Sequence, residues 1–88
     1  MKIKAIANVD NNKIRCVGEI KLNLISGNQV YIIWSLLHED KLIAAKSETL
    51  YYRTSGNNEE NLMKIIVEKI KRYRIGRKRI FEEVEVVS

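Results

Sequence analysis

The chain has 88 residues, 45% of them hydrophobic and 31% charged, with no proline and only four glycines. That composition excludes a disordered chain and long flexible linkers, and predicts a single α+β domain over residues 1–88 with a small core. The formal net charge of +5 favours anionic partners such as nucleic acid, although ordinary globular proteins carry similar excesses.

Cys16 is the only cysteine, so no intramolecular disulfide can form and a reducing, cytoplasmic compartment is expected. Cys16 and the single His38 cannot complete a zinc site without ligands from a second chain, and no metal or cofactor is expected. No stretch of about 18 apolar residues is present to span a membrane. The start, "MKIKAIANVD", lacks the long apolar region and cleavage pattern of a signal peptide. The weight of Ile, Lys, Asn and Tyr suggests an AT-rich genome, hence a microbial or viral source.

In chain order, "KIKAIANV" (2–9) alternates, with Ile3, Ala5, Ala7 and Val9 on one face and Lys2, Lys4 and Asn8 on the other, as a half-buried strand does. "DNN" (10–12) is turn chemistry. "KIRCVGEIKLNLI" (13–25) alternates again, with Ile14, Cys16, Ile20, Leu22 and Leu24 in one row. Gly18 falls in that apolar row and predicts a bulge or a close backbone approach. After "SGN" (26–28), "QVYIIWSLLH" (29–38) is apolar on both faces and reads as a central strand. "HEDK" (38–41) turns the chain into a fourth strand, "LIAAKSETLYY" (42–52).

Asn57 with Glu60 three positions on resembles a capping box, with Glu59 also near the positive end of the helix it opens. Leu62, Met63, Ile65, Ile66, Val67, Ile70 and Tyr73 give that helix a broad apolar arc, and Gly76 is the predicted stop. "IFEEVEVV" (80–87) is a fifth strand. The expected architecture is an antiparallel β-meander, in the order β-β-β-β-α-β, with the helix packed on one face of the sheet. Either the row Tyr31, Ile33, Ser35, Leu37 or the row Val30, Ile32, Trp34, Leu36 then looks away from the helix. Both are too apolar to stand exposed, which predicts an interface, with a homodimer as the simplest form.

Enzyme chemistry finds little support. Asp10 and Asp40 sit in predicted turns, where turn stabilisation accounts for them. Glu83 and Glu85 share a strand face and could hold a cation, but no third ligand accompanies them and a solvated face explains both. His38 lacks a nucleophile at motif spacing, and Cys16 lies in an apolar row as a buried thiol would. No phosphate-cradling glycine loop is present. The chain is expected not to be an enzyme.

The stretch "KIKRYRIGRKR" (69–79) holds seven basic side chains in eleven positions. Arg and Lys neutralise phosphates, which points to nucleic-acid contact by Lys71, Arg72, Arg74, Arg77, Lys78 and Arg79. Arg53 adds a cation beside Tyr51 and Tyr52, which could stack on bases, as could Tyr73. The competing reading is helix capping, because cations offset the negative helix end by about 0.3–1 kcal/mol each. With Leu62 at zero, Lys71 falls at about 180°, Arg72 at about 280° and Arg74 at about 120°, so the helix presents no single cationic rail. Lys69 falls inside the apolar arc and should snorkel or find an acid.

Residues 20–88 resemble the first half of the ribonuclease H-like fold: three antiparallel strands, "TSGNNEENLMKIIVEKI" like that family's loop into its first helix, and "VEVVS" like the strand after it. The departures fall on the catalytic carboxylates. The glutamate that follows the family's paired asparagines corresponds to Asn61, its first-strand aspartate has no counterpart in "KLNLISG", and its fourth-strand aspartate would come after Ser88. Two-metal chemistry needs those groups, so the resemblance implies an inactive scaffold, similar to the partial fold of HicB-type antitoxins, which bind a protein toxin. Residues 2–74 also resemble the whirly-type group, where a four-strand meander and a helix dimerise and bind single strands. The leading expectation is a non-enzymatic nucleic-acid-binding protein. The alternative is a protein-interaction module, antitoxin-like or a viral host antagonist, using an apolar sheet face.

Overall fold

The computed structural model describes residues 1–52 and 58–87, and its five long strands fall within a residue or two of where the alternation placed them. Strands β1 (Lys2–Val9), β2 (Asn12–Ser26), β3 (Gln29–His38) and β4 (Lys41–Tyr51) form an antiparallel meander. Helix α1 spans Asn58–Lys71. Two short strands, β5 (Arg74–Ile75) and β6 (Lys78–Arg79), pair with each other in a separate two-stranded sheet, and β7 (Phe81–Val87) returns antiparallel along β1. The main sheet has the order β4-β3-β2-β1-β7, and the fold is α+β.

Two of the turns are set by backbone chemistry. The two-residue loops between Val9 and Asn12 and between His38 and Lys41 hold both central residues at positive φ: 51° and 66° at Asp10 and Asn11, 49° and 65° at Glu39 and Asp40. Such loops carry the twist that antiparallel strands need, and Asp and Asn tolerate this region. The β2–β3 turn is different. Its register shifts between Leu24 and Ser26, and Ser26 Oγ lies 3.0 Å from Asn28 Oδ1.

Tertiary packing decides between the two rows of β3. Val30, Ile32, Trp34 and Leu36 are buried, in one cluster with Ile3, Ala5 and Ala7 of β1, Cys16 and Ile20 of β2, and Leu62, Ile66 and Ile70 of α1. The spacing of those helical residues at intervals of four gives one stripe on α1. Gly18, opposite Leu36, meets the backbone of Ser35 so closely that no Cβ fits, with no register shift at that point. It marks a close approach of strands, not a bulge.

Lys69 does find an acid. Its Nζ lies 3.9 Å from Glu48 Oε1, and Lys46 Nζ lies 3.6 Å from Glu48 Oε2, so one largely buried carboxylate serves two cations at the edge of the core. Beyond the helix, Tyr73 stands edge-on to Trp34 at 5.2 Å between ring centres and lies 6.2 Å from Phe81. Trp34 Nε1 is buried without a hydrogen-bond partner among the described residues.

The opposite face of the sheet mixes charge with apolar groups. Val17, Leu37 and Leu42 are consecutive partners across β2, β3 and β4, and Val17 and Leu42 are 58% and 63% exposed. Ile33 is also exposed on this face, while Tyr31, Ser35 and Leu37 are half-buried.

Candidate nucleic-acid interface

The basic stretch divides differently from the way its sequence suggests. Helix α1 ends at Lys71. The Arg72 amide donates to the Glu68 carbonyl at 3.0 Å, and the Tyr73 amide donates to Ile70 at 3.1 Å, tightening the final turn. Tyr73 is therefore outside the helix, and Gly76 is not its stop. Gly76, with φ of 64°, is the first of two residues linking β5 to β6, where a type II′ turn calls for glycine.

The result is a tight cationic hairpin. Arg74 pairs with Arg79 and Ile75 with Lys78, while Arg77 occupies the turn, and all of residues 74–79 are exposed. The base of the hairpin is fixed in the core on both sides. Tyr73 enters the aromatic cluster before it, and Ile80 and Phe81 are buried after it. The Asn8 amide also donates to the Ile80 carbonyl at 2.7 Å. A two-stranded ribbon is marginal alone, and here the aromatic clamp supplies what its own side chains do not.

Among the described residues, no ion pair engages Lys71, Arg72, Arg74, Arg77, Lys78 or Arg79. The nearby acid Glu82 is otherwise occupied: it lies 3.5 Å from Lys13 Nζ and accepts from Asn8 Nδ2 at 3.2 Å. Arg74 opposite Arg79 sets like charges across a strand pair, which costs stability. Helix capping accounts for Lys71 and Arg72, but the dipole's influence fades within the last turn and does not reach the hairpin.

The expected stacking residues are not gathered there. Tyr51 is 68% exposed and faces Gln29, at the opposite end of the sheet from the hairpin. The length of β2, from Asn12 beside the hairpin end to Ser26 beside Gln29, separates the two, along a molecule 41 Å in its long dimension. Tyr52 is half-buried against the core, and its amide donates to Asn28 at 3.0 Å. Tyr73 is committed to Trp34 and Phe81. Arg53, like Asn57 of the expected capping box and the side chain of Glu59, lies outside the described residues.

The remaining polar candidates have local roles. His38 Nδ1 lies 2.8 Å from the Arg15 carbonyl, a contact that requires a proton on Nδ1, and Nε2 lies 3.9 Å from Glu39. Cys16 is buried, and burial pushes its thiol pKa up, away from the reactive thiolate. Among the described residues no group of three or more His, Cys, Asp or Glu is placed to hold a metal ion, and no helix is long and apolar enough to cross a membrane. Compared with known proteins, the chain matches no family model, no curated protein and no solved structure.

The hairpin itself escaped the sequence reading. Its only local signal was Gly76 between Ile75 and the basic run of residues 77–79, and the packing of half-buried Tyr73 with buried Phe81, which makes it stand, is a tertiary contact.

Proposed function

We propose that this is a small, basic, non-enzymatic nucleic-acid-binding protein of a reducing, cytoplasmic compartment. The observation that carries the reading is the β5–β6 hairpin: four cations in six exposed residues, two of them set against each other, none ion-paired among the described residues, on a base anchored in the core. Neither packing nor capping accounts for that arrangement, whereas a row of phosphates does. Arg74, Arg77, Lys78 and Arg79 form the contact, with Lys71 and Arg72 flanking it. A two-stranded ribbon also has the width that a duplex major groove admits. In this reading α1 covers the buried face of the sheet, as its shared cluster with β1, β2 and β3 supports.

Fluorescence anisotropy with labelled single- and double-stranded oligonucleotides across a salt series tests the proposal. Four phosphate contacts give a log–log slope of about −3.6 on duplex or about −2.8 on a single strand. Arg77→Ala with Arg79→Ala removes two contacts and flattens the slope by about half. Absence of binding at low salt, or an unchanged slope in the double variant, refutes it.

The second reading rests on the opposite sheet face. Val17, Leu37 and Leu42 form an apolar row across three strands, and a second copy of the chain or a protein partner of the antitoxin-like or host-antagonist kind would cover it. Mass measurement in solution distinguishes these: a dimer that Val17→Lys dissociates supports self-association, and a monomer at high concentration refutes the homodimer.

A further inference from the structure

A cleft between α1 and β7 has no part in either reading. β7 ends the strand order, so its outer backbone edge pairs with no strand among the described residues. Beside that edge, α1 and β7 bound a cleft of about 810 Å³. Its apolar lining is Met63 and Val67 from the helix and Val84 and Val86 from the strand, all half-buried, with the exposed Met1 and Glu85 also against it. Glu60, Lys64 and Glu68 stand along the helical rim. On β7 the alternation is strict over this length: Val84 and Val86 share the face of Ala5 and Ile3, and Glu83 and Glu85 take the other.

An open strand edge next to an apolar cleft walled by a helix suits one kind of ligand. An extended peptide adds as a further strand, taking affinity from main-chain hydrogen bonds and specificity from every second side chain. We propose that the α1/β7 cleft binds an extended peptide segment in which apolar and basic residues alternate. The apolar side chains enter the cleft over Val84 and Val86. The basic ones fall on the opposite face, next to Glu83 and Glu85, where opposite charges across a strand pair are favourable. Lys4 of β1 is the register partner of Glu85 on its inner side, yet no ion pair holds Glu83 or Glu85 among the described residues.

Charge on an edge strand also hinders self-pairing, and a second β7 laid against the first would oppose glutamate to glutamate. That disfavours a copy of this chain as the occupant of this edge. It does not account for four apolar side chains left half-covered beside it. Nucleic acid is a poor fit, because the rim and the strand are predominantly acidic.

The test is a two-dimensional amide NMR titration of the full chain with a capped Lys-Val-Lys-Val-Lys-Val-Lys peptide. Shifts confined to Phe81–Val87 and to residues 60–68 of α1 are expected. N-methylation of alternate peptide amides should weaken binding at least about tenfold, because it removes ladder donors while leaving the side chains in place. The Glu-Val counterpart should not bind, and Glu83→Lys with Glu85→Lys should reverse the preference. If that variant does not fold, Glu83→Gln with Glu85→Gln should weaken the lysine peptide at least about threefold. Arg77→Ala with Arg79→Ala should leave peptide binding unchanged, so the hairpin and the cleft fail or succeed separately. No shifts at millimolar peptide, shifts centred on residues 74–79, or indifference to N-methylation overturns the proposal.

Discussion

Gly18→Ala is a local test of how closely β2 and β3 are pressed together. An alanine Cβ at position 18 would point into the buried face, 2.7 Å from the Ser35 carbonyl carbon and 3.0 Å from Leu36 Cα, with the Ser35 oxygen closer still. Non-bonded carbons rest at about 3.5–4.0 Å, so the strands must part by roughly 1 Å. The obstacle is ladder backbone, which cannot swing aside as a side chain would. Overpacking costs about 1–3 kcal/mol, and strained ladder hydrogen bonds contribute about 1 kcal/mol each, giving a loss of about 3 kcal/mol. A chain of this size has about 4–13 kcal/mol in total, so the variant forfeits a large share. Thermal unfolding followed by circular dichroism should show Tm lowered by about 12–24 °C. Gly76→Ala is the control. Nothing among the described residues lies within 4 Å of its Cβ position, and its penalty is the positive φ of 64°, so a loss of about 1–2 kcal/mol, or about 4–16 °C, is expected. A Gly18→Ala protein with native spectra and a Tm within 3 °C of the parent, on the order of 0.5 kcal/mol, refutes the close-approach argument.

Two further outcomes follow from the same structure. Arg79→Glu replaces a like pair with an opposite pair against Arg74, so stability should rise by about 0.5 kcal/mol at low salt and the gain should shrink as salt is added, while oligonucleotide affinity falls; a variant less stable than the parent contradicts the like-charge assignment. Burial raises the Cys16 thiol pKa in the folded chain, so the unfolded thiol ionises first as pH rises. The thiol's contribution is complete below its unfolded pKa, near 9.0, and is lost as pH climbs toward the folded value. The stability gap between the parent and Cys16→Ala should therefore narrow above about pH 9 in urea titrations, and a gap that widens there reverses the sign.

The cationic stretch shows where sequence reading stopped. Helical periodicity assigned Tyr73 to α1 because an aromatic residue falls at a suitable angle after Ile70. The residue is indeed half-buried, but against Trp34 and Phe81 from outside the helix. A local pattern records that a side chain is apolar and spaced for burial; it does not record which neighbour buries it. The same limit applies to Tyr51 and Tyr52. They are close in sequence to the helix that leads to the hairpin, yet β4 returns them to the other end of the sheet. Lys69 was the better-posed case, because a cation inside an apolar arc needs a partner, and Glu48 is near it at 3.9 Å.

The sequence by itself determined the elements. Period-two alternation, turn residues able to hold positive φ, and one amphipathic helix placed every major strand within a residue or two, because each signal depends on a few neighbouring side chains and their backbone. Only tertiary structure decided which row of β3 is buried, since both are apolar and alternation is blind to which of them joins the core. Tertiary structure also set β7 beside β1, leaving an open edge next to α1, and raised residues 74–79 into a hairpin on an aromatic base. Those outcomes depend on contacts between residues far apart in the chain, where burial of the aromatic and aliphatic side chains outweighs the like-charge repulsion that the local sequence carries.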